Sequence, residues 1–142
     1  MARYLGDEFM LPVIGPDNSP WFTSGRIQVQ SCNSCGESQH PPEDQCRRCH
    51  ATDLGFRELP GEGTVESVVV VDHPVHPALV ERCPYLVAVV SLDGAPGCNA
   101  IGNVVDAEPG EVAIGDRVRA VFEEATGPNG EALRIPQWER AR

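Results

Sequence analysis

The chain has 142 residues, which leaves room for one or two small modules. Its formal charge is −10, and all of its basic residues are arginines. Acidic residues outnumber arginines both before and after residue 60. Such a surface repels phosphate backbones and anionic membranes, so the composition argues against nucleic acid and membrane partners.

The sequence shows no targeting segment. Its first ten residues include Arg3, Asp7 and Glu8 and lack the apolar run of a signal peptide. No stretch approaches the roughly 20 apolar residues of a membrane-spanning helix. We therefore expect a cytoplasmic protein, in which thiols stay reduced and closely spaced cysteines indicate a metal site rather than disulfides.

Residues 1–26 are predicted to form an N-terminal arm with a short helix. The first 18 residues are rich in Gly, Pro and Asp, which indicates a loosely held segment. Ser19 and Pro20 are typical of an N-cap followed by the first helical position. Gly25 should end this helix within two turns.

Four cysteines form two C-x2-C pairs separated by ten residues: Cys32, Cys35, Cys46 and Cys49. Two residues between thiols let both sulfurs reach one ion, and the second pair completes a tetrahedron. Four thiolates fill the coordination sphere, which is typical of a structural zinc. We therefore predict a rubredoxin-like zinc ribbon over residues 27–59 that binds one Zn²⁺, with residues 26–31 as its first strand.

Other interpretations of this motif stay open. Iron fits the same geometry and would give a coloured, redox-active centre. His40 and His50 lie near the cysteines and could replace one ligand, although four thiols are already present. A disulfide pairing conflicts with the cytoplasmic interpretation.

Residues 60–142 are predicted to form a five-stranded OB-fold barrel, so the chain as a whole should be mainly β. Turn signals separate short β-branched runs, and no long helical pattern interrupts them. Gly102 suggests a bulge or tight bend in the third strand. The five predicted strands cover residues 64–71, 85–92, 98–105, 117–123 and 132–138.

No further motif assembles an active site. His73 and His76 lie in a proline-stiffened loop, for which the alternatives are a second metal or acid–base site and, favoured here, a simple loop. Cys83 and Cys98 have no visible partner constellation, and their roles stay undetermined. An OB-fold that binds single-stranded nucleic acid needs a basic groove with stacking aromatics, and this acidic barrel lacks it.

The ordered set of motifs resembles the DUF35 family of zinc-ribbon and OB-fold proteins over residues 19–138. One departure follows Asp93-Gly94, where family members tend to carry a basic residue and this chain continues with Ala95-Pro96-Gly97. The segments that carry the resemblance are Pro20-Trp21-Phe22, residues 27–32, His40-Pro41-Pro42, residues 61–67, residues 84–94 and residues 114–118.

The resemblance implies a non-catalytic accessory subunit that docks onto a thiolase-superfamily enzyme acting on acyl-CoA. Some family members belong to archaeal complexes of a thiolase and a hydroxymethylglutaryl-CoA synthase. Others pair with lipid-transfer-protein-like aldolases that shorten steroid side chains. The Lys-free, Arg-rich composition suits a GC-rich bacterial genome, which favours the aldolase group.

Two questions about binding follow from this resemblance. Trp21 and Phe22 are candidate anchors for the partner, or else they pack on their own barrel. The rival function is an acyl-CoA-binding or substrate-transfer module, which would need cations that converge on the CoA phosphates. The candidate cations for that module are Arg82, Arg117, Arg119 and Arg134.

Overall fold

The computed structural model describes residues 1–141, and the fold is mainly β, as predicted. A single short α-helix, α1 (Ser19–Thr23), precedes the first strand. Within the described residues, no helix is long and apolar enough to cross a membrane. The strands are β1 (Gln28–Cys32), β2 (Ser38–Gln39), β3 (Leu54–Glu58), β4 (Glu62–Val71), β5 (Tyr85–Leu92), β6 (Asn99–Asn103), β7 (Arg117–Thr126) and β8 (Ala132–Arg140).

The first three strands form the ribbon, an antiparallel sheet in the order β2-β1-β3. The central strand β1 pairs with β3 along its whole length, from Gln28 opposite Glu58 to Cys32 opposite Leu54. Only β1 was predicted from the sequence. The first metal-binding turn therefore begins at the end of β1, the strand that pairs with β2 on one side and β3 on the other.

The other five strands form the barrel, in the order β6-β5-β4-β7-β8. Neighbours in this order are antiparallel, and the two outer strands meet through a parallel bridge between Val104 and Trp138. The Val105 N–H also donates to the Trp138 carbonyl at 2.8 Å. The predicted OB-fold is therefore confirmed, with β5 at its predicted bounds.

The irregularity of the barrel lies elsewhere than predicted. The register shifts in β4, between Val65 and Ser67, whereas Gly102 lies in a regular stretch of β6. A Cβ at Gly102 would lie 2.9 Å from Cδ1 of Trp138. Glycine is thus needed there because the indole packs against its backbone, and the predicted bulge at Gly102 is wrong.

The ribbon and the barrel share one hydrophobic core. Ile27, Val29 and Leu59 come from the segment predicted as the ribbon, and each is at most 5% exposed. They belong to the same buried cluster as Val90 and Trp138 of the barrel. The expected modules 27–59 and 60–142 are consequently joined by packing as well as by the chain.

The helix of the arm is a single short turn that holds an aromatic residue in the core. It begins at Ser19, so its N-cap is Asn18 rather than the predicted Ser19. Trp21 is 7% exposed and belongs to the shared core. Its ring lies 4.1 Å from the ring of His40, whose pKa burial lowers to about 4. The imidazole is therefore neutral at pH 7 and packs as an uncharged ring.

The first four residues of the arm are fixed to β7 by polar contacts, where the sequence predicted a loosely held segment. The Met1 ammonium donates to the Phe122 carbonyl at 3.0 Å, and the Tyr4 N–H donates to the Glu123 carboxylate at 2.8 Å. Arg3 Nε lies 3.8 Å from the same carboxylate. Glu123 is 2% exposed, so the arm supplies the partners of a buried charge.

We expect Glu123→Ala to destabilise the chain by about 3 kcal/mol, because it leaves Arg3 buried without its counter-charge. The same change should make residues 1–18 sensitive to protease. Glu124→Ala is the matched control, since its pair with Arg134 is 3.8 Å long and exposed. Urea unfolding of both variants measures the difference, and equal midpoints would contradict a stabilising role for Glu123.

We expect Trp21→Ala to lower the free energy of unfolding by about 3–5 kcal/mol, because it empties a buried aromatic position. Phe22 is only partly buried against the same core, so Phe22→Ala should cost markedly less. Thermal unfolding of the two variants of the isolated chain makes the comparison. A melting temperature unchanged by Trp21→Ala would show that this side chain does not stabilise the core.

Candidate metal centre and exposed apolar surface

Each cysteine pair lies on a tight turn that the backbone closes. In the first turn the Gly36 N–H donates to the Cys32 carbonyl at 2.9 Å, and Gly36 has a φ of 79°. In the second turn the His50 N–H donates to the Cys46 carbonyl at 2.9 Å, with a φ of 66° at His50. The left-handed residue after each pair lets both thiols of the turn face one point.

The four sulfurs converge as a metal site requires. All of them lie within 4.8 Å of one another. The Sγ atoms of Cys32 and Cys49 are 3.6 Å apart, as are those of Cys35 and Cys46. A tetrahedron with metal–sulfur bonds of about 2.3 Å has edges of about 3.8 Å, so the four thiols fit one zinc ion. Within residues 1–141, no histidine or carboxylate joins this cluster.

Backbone amides around the second turn favour the thiolate form. The N–H groups of Arg48 and Cys49 point at Cys46 Sγ, with N···S distances of 3.3 and 3.5 Å. Hydrogen bonding, chiefly from Cys49 and then from Arg48, lowers the pKa of Cys46 to about 6. Zinc binds thiolates rather than thiols, so these amides prepare a ligand and orient it.

Two buried glutamines hold the second turn against β1, and no sequence motif predicts them. Gln39 Nε2 donates to Gln30 Oε1 at 2.6 Å, and Gln30 Nε2 donates to the Glu43 carbonyl at 3.0 Å. The Arg47 N–H donates to Gln39 Oε1 at 2.9 Å. Both glutamines are at most 4% exposed. Their amides satisfy the backbone of the loop that carries Cys46, and so position that ligand.

The loop after Asp93-Gly94 contacts the ribbon. Arg57 of β3 donates to the Ser38 hydroxyl at 2.7 Å and to the Gly94 carbonyl at 2.9 Å. Ala95 and Cys98 in this loop are fully buried. An arginine of the ribbon therefore holds the loop that follows β5.

The remaining candidate residues are not brought together as an active site. His76 Nδ1 accepts from the Ala78 N–H at 3.1 Å, and its ring packs edge-on against Phe9. Burial raises the pKa of the Cys98 thiol, which keeps it protonated. Among residues 1–141, no hydrogen bond joins Cys83 or Cys98 to a histidine, and His73 makes no side-chain hydrogen bond.

An exposed apolar surface crosses the outer side of β4, β5 and β6. Val69 lies opposite Val87, and Val89 lies opposite Ile101, in successive outward positions of the sheet. Val69 is 54% exposed and Ile101 is 74% exposed. We call these four residues the valine face. The sequence predicts strands here but does not show which face of the sheet remains exposed to solvent.

A cleft of about 360 Å³ opens beside the valine face. Ile101 lines it together with Phe22, Pro41 and Pro42, and the tilted rings of Trp21 and His40 face it as well. Two asparagines, Asn18 and Asn99, complete the lining. Its lining is mainly apolar. The two predicted anchors therefore differ, because Phe22 lies at an accessible wall while Trp21 supports the cleft from the core.

We expect Cys35→Ser to reduce bound zinc below one ion per chain and to destabilise the ribbon and the barrel together. The reason is that Ile27 and Val29 continue the barrel core into the strand that leads to the site. Cys83→Ser should retain one zinc, since Cys83 lies outside the cluster. Metal analysis and amide NMR spectra of both variants test this. A Cys35→Ser protein with full zinc would contradict the four-thiolate site.

Comparison with protein families assigns both parts of the chain. Residues 23–55 match the family described as ChsH2, rubredoxin-like zinc ribbon domain. Residues 56–123 match the family described as ChsH2, C-terminal OB-fold domain. The match to a zinc ribbon, together with the four clustered sulfurs, confirms the predicted zinc cofactor.

Solved structures support the same assignment. A structure described as Ltp2-ChsH2(DUF35) aldolase contains a chain that matches with a TM-score of 0.77 and 33% identity. The match covers 93% of this chain and 100% of that one. A DUF35-family protein of unknown function from Sulfolobus solfataricus matches with a TM-score of 0.54 at 16% identity, which shows a shared fold.

Relatives are found in bacteria and archaea. A probable enoyl-CoA hydratase alpha subunit of Thermomonospora curvata is 36% identical over 73% of this chain. The match covers only 32% of that protein's length. A DUF35 domain-containing scaffold protein of Methanocaldococcus jannaschii is 33% identical over 64% of this chain and 63% of its own length. A scaffold protein of the same description from Methanothermobacter thermautotrophicus is 30% identical, with 67% of its length covered. The chain belongs to the DUF35 family, in its ChsH2-like form of a zinc ribbon followed by an OB-fold.

Proposed function

We propose that this chain is a non-catalytic accessory subunit of a thiolase-superfamily enzyme that acts on acyl-CoA. The partner is most simply a retro-aldol enzyme of sterol side-chain degradation. The observation that carries this proposal is the match to a chain of the Ltp2-ChsH2(DUF35) aldolase, which extends over 93% of this chain and the whole of the other. The relatives described as scaffold proteins point to the same accessory role.

The chemistry of the metal centre supports a structural role. Four thiolates complete the coordination of zinc and leave no position for a water molecule or a substrate carbonyl. The remaining thiols, Cys83 and Cys98, have no histidine bonded to them in the part of the chain that the structure describes. The reacting groups are therefore assigned to the partner enzyme.

The valine face and the adjoining cleft supply a docking surface of suitable chemistry. An exposed apolar patch next to an apolar cleft is typical of a protein interface. Phe22 can contact a partner directly from the wall of the cleft. Trp21 acts from the core by holding that wall in place, so both predicted anchors keep a role in the proposal.

The arginines make the rival function, a CoA-binding module, less suitable. A module of that kind needs arginines that are free to converge on phosphates. Arg117 pairs with Asp93 and Glu62, Arg119 with Glu139, and Arg134 with Glu124. Three of the four candidate cations are thus already neutralised by carboxylates of the barrel itself.

Affinity purification from the native host tests the proposal. A tagged chain is isolated gently, the bound proteins are identified by mass spectrometry, and the complex is assayed for retro-aldol cleavage of a sterol-derived acyl-CoA. Near-equal recovery of a thiolase-superfamily protein, with activity that falls when this chain is removed, supports the accessory role. Recovery of the zinc-loaded chain alone contradicts it, and CoA binding by that isolated chain would establish the rival.

We expect Ile101→Ser to weaken the complex about tenfold, because a central apolar contact is lost, while leaving the chain's melting temperature unchanged. Ile114→Ser is the matched control, since Ile114 is 72% exposed but lies in the loop before β7. Titration of the co-purified partner with each variant gives the dissociation constants. Equal weakening by the two variants would exclude the valine face as the docking surface.

A further inference from the structure

One half of β4 has a free side. Its pairing with β7 ends at Thr64, opposite Arg117. Val65 makes the last two bonds on this side: its N–H donates to the Asp116 carbonyl, and its carbonyl accepts from the Gly115 N–H. Its pairing with β5 continues for the rest of the strand, to Val71 opposite Tyr85. In residues 1–141, no backbone hydrogen bond links residues 67–71 to any segment other than β5.

Within residues 67–71 the free edge carries no protective charge, proline or bulge of its own. Residues 67–71 are one serine followed by four valines, with no charge, no proline and no lysine. Val69 and Val70 are 54% and 42% exposed. The register shift between Val65 and Ser67 precedes this segment, which then pairs regularly with β5. A regular, uncharged, β-branched edge is a template for one more strand.

We propose that residues 67–71 accept an extended strand of the partner enzyme, which adds to the barrel sheet beside β4. This inference rests on the proposed accessory function and specifies how the partner is held. Unpaired N–H and C=O groups along a strand are complementary only to another extended backbone. The barrel would thereby grow by one strand, in the order β6-β5-β4-partner over this stretch.

Charge at the two ends of the edge selects the occupant. Glu66 precedes the uncharged segment and Asp72 follows it, and both are exposed. A second copy of this chain, paired antiparallel about Val69, would place Glu66 opposite Asp72 at both ends. Like charges directly opposite one another destabilise a strand pair. The occupant that fits is therefore a valine- or isoleucine-rich strand with Arg or Lys at each end.

The edge is continuous with the docking surface already described. Val69 belongs to the valine face, and its neighbour across the sheet, Val87, lies on the same outward side. A strand added beside β4 would extend this face by a further row of side chains. Backbone pairing at the edge and side-chain contact on the face then form one interface.

Amide hydrogen exchange, followed by mass spectrometry, tests the inference on the complex of the native chain with its co-purified thiolase-superfamily subunit. Peptides that span residues 66–72 should exchange more slowly in the complex than in the isolated chain. Peptides around Val80, which is 62% exposed, should not change. Unchanged exchange at residues 66–72 in a stable complex overturns strand addition and leaves the accessory function standing.

Substitution gives an independent measurement. Val69→Lys places a charge on the edge and should weaken the complex about tenfold, which corresponds to about 1.4 kcal/mol. Val80→Lys makes the same change at a similarly exposed valine away from the edge and should have no such effect. Both variants should melt like the native chain. Equal affinities overturn the inference, as does a dimer of this chain that Val69→Lys dissociates. Failure to recover any partner overturns both this inference and the accessory function.

Discussion

The packing of the base of the ribbon, at the start of β1 and the end of β3, against the barrel is the contact on which the rest of the structure depends. Ile27, Val29 and Leu59 lie in one core with Val90 and Trp138, so the base of the ribbon folds as part of the barrel. A segment of about 30 residues cannot bury enough apolar surface to be stable alone. Zinc stabilises the outer end of the ribbon, where its ligands begin at Cys32, the last residue of β1. The boundary between the two sequence motifs is thus not a boundary of the hydrophobic core.

Buried polar side chains then fix the parts that apolar packing leaves free. Gln30 and Gln39 occupy buried positions of the ribbon and satisfy the backbone of the second metal-binding turn. Glu123 occupies a buried position of β7 and is met by Arg3 and the Tyr4 amide of the arm. In each case a polar group in the interior specifies where an irregular segment must lie, because leaving it unpaired would cost more than burying it in pairs. The arm and the ribbon loop owe their positions to this requirement.

The sequence predicted what depends on local spacing, and it failed where distant segments decide. Two C-x2-C pairs specify four ligands because the geometry of each turn is local, and β5 was located to the residue because turn signals bound its β-branched run. The strands β2 and β3 escaped prediction, since they are short and are strands only by pairing with β1. The sequence alone leaves two roles open for Trp21, a partner anchor or a core residue, and the structure shows that it is buried. The burial of Glu123 was equally hidden, because its partners lie 119 or more residues away in the sequence.

The distribution of charge connects the fold to the proposed role. The chain carries a net charge of −10, and most of its exposed arginines form ion pairs with its own acidic residues, as Arg117 and Arg119 do. The valine face and the edge of β4 are uncharged within this acidic surface, with Glu66 and Asp72 at the ends of the edge. Copies of the chain repel one another, which keeps an exposed β-branched edge from pairing with itself. A partner with basic residues around an apolar strand is instead attracted by the acidic residues around the edge, and the apolar surfaces of the two proteins can then be buried against each other. In the proposed complex, the acids that repel a second copy of the chain therefore attract a partner with basic residues around an apolar strand.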